Sequence, residues 1–96
     1  MPVLHTLNQS PSGDALPGCL RCLGPGDKLL LLEDAVYAAC DPYVATLRDA
    51  GVDCYVLEAD ADARGIRERL DASITPVDYG GFVELAAACN SVQSWY

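Results

Sequence analysis

Four consecutive leucines, Leu29 to Leu32, stand between Lys28 and Glu33. A strand that is apolar on both faces belongs in the middle of a parallel sheet covered on both sides. The run therefore asks the rest of the chain for two things: flanking parallel strands, and helices to cover them.

The remaining punctuation supplies both. Val3 to Leu7 is a short apolar run that ends in Asn8-Gln9-Ser10-Pro11-Ser12-Gly13, a strand followed by a loop. Asp14 is placed to cap a helix whose first turn tolerates Pro17. Leu16, Cys19, Leu20 and Leu23 then form one apolar stripe at helical spacing, and Gly24-Pro25-Gly26 ends it. After the leucine run, Asp34 is expected to cap a helix over Ala35 to Ala39. Asp41-Pro42 reads as a helix restart, with Asp at the cap and Pro at the first helical position. Tyr43, Val44, Leu47 and Ala50 are expected to point inward, and Gly51 to stop the helix. Val52 to Leu57 is a third strand. Glu58 to Leu70 reads as short helical turns broken by Gly65. Ile74 to Val77 is a fourth strand, and Pro76 places it near an edge. Asp78 caps a last helix carrying Phe82, Leu85, Ala86 and Cys89, which Asn90 ends. Ser91 to Tyr96 closes the chain as a short strand. Strands alternating with helices give an α/β fold: an open, mostly parallel five-stranded sheet with helices on both faces, in a single domain over 1–96. Functional groups in such sheets gather beyond the carboxyl ends of the strands. Those loops hold Asn8 to Asp14, Glu33-Asp34, Glu58 to Asp62 and Asp78 to Gly81.

Composition narrows the function. The hydrophobic fraction is 51% in only 96 residues, so part of the apolar surface is expected at a subunit interface rather than in a private core. Fourteen acidic residues against six basic ones give a charge of −8. A surface of that sign repels phosphates, which argues against direct nucleic-acid or anionic-membrane binding. No stretch reaches the length of a membrane-spanning helix. Met1 to Thr6 lacks the basic-then-apolar pattern of a signal peptide. A cytoplasmic location is expected, where thiols stay reduced and five cysteines are not a disulfide framework.

No phosphate-cradling glycine motif follows a strand, and no cofactor is expected. Asp78 opposes an anion at the Tyr79-Gly80-Gly81 turn. His5, the only histidine, lies inside the first strand pattern and reads as a structurally satisfied side chain. Cys19 and Cys22 have the C-x-x-C spacing of zinc and redox pairs, but no second ligand pair is visible and the motif lies within a helical pattern. Cys19 is the candidate site. It stands within about a turn of a helix start, where the partial positive charge favours a thiolate, and Arg21 and Arg67 are possible cationic neighbours. A thiolate can accept and pass on sulfane sulfur as a persulfide. Against this, Cys19 shares its helix's apolar stripe, and buried cysteines are usually inert. Cys54 and Cys89 read as core, Cys22 as exposed, and Cys40 as partly exposed. Trp95 and Tyr96 finish the core or form a contact.

Five segments in order resemble the TusB/DsrH family: Leu4 to Pro11, Leu30 to Ala39, Val56 to Gly65, Val77 to Leu85 and Val92 to Trp95. The resemblance implies a DsrE-like three-layer sandwich. It implies the small subunit of a heterohexamer built from two copies each of this chain, a DsrE/TusD-like sister and a DsrF/TusC-like sister. Such complexes relay sulfur as protein persulfides to a downstream sulfur-carrier protein. The sulfur serves tRNA wobble 2-thiouridine synthesis in the Tus branch and sulfur oxidation in the Dsr branch. The principal persulfide cysteine lies on a sister subunit. Cys19 falls where Dsr-type members of this subunit carry a cysteine. Beside this stands a second reading, a stand-alone or homo-oligomeric thiol redox module using Cys19 and Cys22.

Overall fold

A computed structural model describes residues 2–96. The leucine run forms strand β2 (Lys28–Leu31), and its Leu29, Leu30 and Leu31 are fully buried. Around it lie β1 (Val3–Leu7), β3 (Asp53–Leu57), β4 (Thr75–Val77) and β5 (Ser91–Trp95). The sheet order is β4-β3-β2-β1-β5, and every pairing is parallel. The strand that is apolar on both faces is thus the central one. The Pro-bearing strand β4 takes one edge, where a missing N–H costs no ladder bond.

Four α-helices connect the strands: α1 (Ala15–Cys22), α2 (Val44–Ala50), α3 (Glu58–Ala63) and α4 (Tyr79–Ala88). From β1 to β4 each crossover steps to the next strand in the same direction. Only the β4-to-β5 crossover returns across the sheet. Because such crossovers are right-handed, α1, α2 and α3 cover one face and α4 alone covers the other. Leu7, Leu29, Leu31, Cys54 and Val56 form the well-covered face, packed with Leu16, Cys19, Val36, Val44, Leu47, Ala61 and Ile66. The register puts Leu4, Thr6, Leu30, Tyr55, Leu57, Val92 and Ser94 on the other face.

Several local expectations are corrected. The segment after β2 is a 3-10 helix over Glu33–Ala39 rather than a helix capped by Asp34. Asp34 instead accepts a 3.0 Å bond from Arg64 Nε. Glu33 takes a left-handed backbone (φ 50°), and its N–H donates to Asp60 Oδ2 at 2.7 Å. Asp41-Pro42, joined by a cis peptide, lies in a turn and does not start a helix. The first helical bond there runs from Val44 N–H to the Cys40 carbonyl, so α2 begins at Val44. Val44 and Leu47 point inward as expected, but Tyr43 and Ala50 are exposed. Cys40 is buried under this turn rather than partly exposed, and Cys89 is only half-buried. Asp14 stands at the start of α1 without a side-chain cap; the amide side chain of Gln9 accepts from Ala15 N–H instead. Asp78 does cap α4, its Oδ1 accepting from Gly81 N–H at 2.7 Å.

Leu30 sits on the central strand with no exposed surface. Leu30→Ala should lower unfolding free energy by about 2–5 kcal/mol, read from the urea midpoint. A loss below about 1 kcal/mol would show that this face of the sheet is not closely packed.

Candidate functional site

Helix α1 lies on the well-covered face against β1, and its cysteines are divided by the helical period. Cys19 faces the core, packed in the cluster with Leu7 and Leu16, and is 0% exposed. Cys22, three residues on, is exposed. Burial pushes the Cys19 thiol up to about 12, and its neighbour Cys22 adds to the rise. The expected help from the helix start does not prevail, because desolvating a thiolate costs more than a helix end returns. Neither predicted cation reaches Cys19. Arg67 is bonded to Asp62 and Glu58, and Arg21 is exposed on the helix surface. Burial likewise raises Cys54 to about 12, with Asp53 adding to it, and it raises Cys40. Cys19 and Cys22 are therefore one sequestered thiol and one free thiol.

Beside Cys22 the fold builds a constellation spread across the whole chain. His5 on β1 is buried, and both its ring nitrogens are engaged. Nε2 lies 3.0 Å from Asp27 Oδ2, and Trp95 Nε1 donates to Nδ1 at 3.1 Å. The His5 and Trp95 rings stack with centroids 6.3 Å apart and planes 27° apart. Asp27 also accepts from the N–H groups of Val3 and Gly24, each at 2.9 Å. The Gly24 bond is the largest influence holding its carboxyl down at about 2, followed by His5 and Val3. With Val3, Cys22, Ser91 and Gln93 these groups line a cleft of about 350 Å³. His5 is the satisfied histidine the strand pattern implied, and Trp95 is half-buried against the core. Asp27 was not marked out by the sequence. Its only signal is its place between a Gly-Pro-Gly turn and the first residue of a strand, where a carboxylate meets free N–H groups.

At the carboxyl ends of the strands, charges pair with one another. Arg64 bonds Asp34, Arg67 bonds Asp62 and Glu58, and Asp60 holds the Glu33 backbone. Among the described residues, no group of three or more His, Cys, Asp or Glu is disposed to hold a metal ion. No helix among them is long and apolar enough to cross a membrane.

A family model described as "DsrH like protein" matches residues 9–92. Protein TusB of Escherichia coli O1:K1 is 42% identical over 95 residues, covering 97% of this chain and 100% of the relative. Protein TusB of Shigella boydii serotype 18 is 41% identical with the same coverage. Among solved structures, the ychN protein of E. coli superposes with a TM-score of 0.77 at 18% identity, covering 97% of each chain. That likeness carries the fold alone and agrees with an α/β sandwich.

Two outcomes follow from the geometry. Iodoacetamide at about pH 8 should label Cys22 before any other cysteine, with Cys19, Cys40 and Cys54 labelled only in denaturant, as read by peptide mass spectrometry. Early labelling of Cys19 would contradict its burial. Asp27→Ala should cost about 2–4 kcal/mol near neutral pH by leaving three donors without an acceptor. The Asp27 carboxyl is lowered on folding from its ordinary 3.8 to about 2. Its stabilisation is thus complete above about pH 4 and drains away as pH falls towards 2, so wild type and variant should converge there in acid unfolding.

Proposed function

The chain belongs to the TusB/DsrH family, and from that premise we propose that it is the small, non-principal subunit of a heteromeric sulfur-relay complex. One observation carries the assembly reading. Helix α4 has a single charged residue, Glu84, in its ten-residue span, yet none of its residues is buried. A helix that is apolar nearly all round is normally interior. Here Tyr79 is 62% and Val83 67% exposed. The fold explains why: among the described residues α4 alone lies on a five-stranded face, so its outer side is left exposed. We read that side as the surface that DsrE/TusD-like and DsrF/TusC-like sisters cover in a heterohexamer.

In this reading the single domain works in the cytoplasm, and the complex passes sulfur as protein persulfides to a carrier, for wobble-uridine thiolation or for sulfur oxidation. Cys19 is the candidate secondary station. Loading it means that its thiolate attacks the outer sulfur of a donor persulfide. The donor's S–S bond breaks, the donor leaves as a thiolate, and no oxidant is consumed. Since the thiol lies under α1, loading is tied to a partner that draws α1 away from β1. The principal cysteine lies on another chain, which agrees with a thiol held here in its neutral form.

The test is co-expression with a DsrE/TusD-like chain and a DsrF/TusC-like chain. The wild-type chain should co-purify with both, and Val83→Asp should abolish co-purification while leaving the urea midpoint of the isolated chain unchanged, because Val83 is already in water. A wild-type chain that purifies alone from cells containing both sisters overturns the reading.

A further inference from the structure

We propose that the Asp27–His5–Trp95 hydrogen-bond chain is a proton-sensitive latch that holds the end of β5 onto β1 when His5 is neutral and releases it when His5 is protonated.

An indole N–H can only donate. The 3.1 Å contact from Trp95 Nε1 therefore requires a bare lone pair on His5 Nδ1. The ring proton then sits on Nε2 and is donated to Asp27 Oδ2. Both nitrogens are used, and this arrangement exists only for the neutral ring. A second proton would have to go onto Nδ1, placing an N–H against an N–H. The two partners respond oppositely. Asp27 gains a charge-assisted bond to an imidazolium, whereas Trp95 loses its acceptor.

The charged and titratable groups around the ring decide which partner yields. Asp27, from the turn before β2, favours the imidazolium. From α1, Cys22 lines the same cleft. Arg21, whose guanidinium approaches Gly18 as the Trp95 ring does, opposes it. The ring's register neighbours, Leu29 on β2 and Gln93 on β5, carry no charge. Asp27 is fixed by Val3 and Gly24, while Trp95 is the half-buried last residue of an edge strand. Trp95 is the partner free to leave. Its carbonyl accepts from Asn8 N–H at 3.3 Å, so displacing the indole loosens the last rung between β5 and β1. The outer edge of β5 and the exposed Tyr96 beyond it then lose their fixed platform.

Trp95 is the only tryptophan, so the isolated wild-type chain reports its own latch. Between about pH 8 and about pH 5, where histidines change charge, its emission maximum should move to the red and acrylamide quenching should strengthen. His5→Gln should show neither change over that range. Asp27→Asn, lacking the carboxylate that favours the cation, should show both at lower pH. An emission maximum and quenching that stay constant in the wild type, or a transition that persists in His5→Gln, overturns the proposal. Should His5→Gln fail to fold by circular dichroism, NMR of the wild type decides. Hydrogen exchange of the Trp95 indole should accelerate with the same pH midpoint as the His5 ring resonances. Differing midpoints overturn the latch.

Discussion

Burial of β2 on both faces is the constraint from which the rest of the architecture follows. Leu29 and Leu31 point to one layer and Leu30 to the other, and all three are inaccessible to water. At about 25 cal/mol per Å² of apolar surface, no strand with this sequence is stable at an edge or with one face wet. Parallel neighbours are then required on both sides, and parallel neighbours require crossovers. The chain makes three crossovers in one direction and only one in return, so its two faces are unequally covered. The acidic, apolar-rich composition becomes intelligible on that basis. Charges pair at both ends of the strands, Lys28 with Asp53 at the amino ends and Arg64 with Asp34 at the carboxyl ends, and the unspent apolar surface lies on α4.

The sheet was legible because its signals are local. Continuous apolarity marked the central strand, Pro76 marked an edge, and Asp78 marked a true cap. The errors lie where local signals compete with long-range contacts. Asp14 and Asp34 look like helix caps, yet Gln9 takes the backbone donor in one case and Arg64 takes the carboxylate in the other. Asp41-Pro42 carries a helix-start signature, but the chain turns there and the helix waits for Val44. The His5–Asp27–Trp95 chain was not legible at all. His5 and Trp95 are 90 positions apart and meet only because β5 pairs with β1.

Cys19 shows two physical effects of opposite sign acting on one thiol. A helix start is worth at most about 2 kcal/mol in favour of a thiolate, or roughly 1.5 pH units. Cys19 is one full turn into α1 and on its inner face, where that benefit has largely decayed. Burial moves the thiol the other way, from 9.0 to about 12. The sequence reveals both the helix start and the apolar stripe, but it does not reveal which wins. The answer depends on how closely α1 lies on β1, and the packing of Cys19 with Leu7 and Leu16 shows that it lies close. A reactive Cys19 thus needs a change of environment, which a subunit interface can provide and an isolated chain cannot.

Asp27 ties three parts of the fold together. It accepts from the start of β1, from the turn that ends α1 and from the ring that holds the end of β5. A single low-lying carboxylate therefore joins the first strand, the first crossover and the last strand. Edge strands are held by one ladder only, and among the described residues β5 has no neighbour on its outer side. Its position thus depends on β1 and on this side-chain tie. Asp27 stays ionised down to about 2, so the tie keeps its anchoring carboxylate over the whole neutral range. The edge most open to a partner is consequently the part of the sheet that this one carboxylate helps to hold.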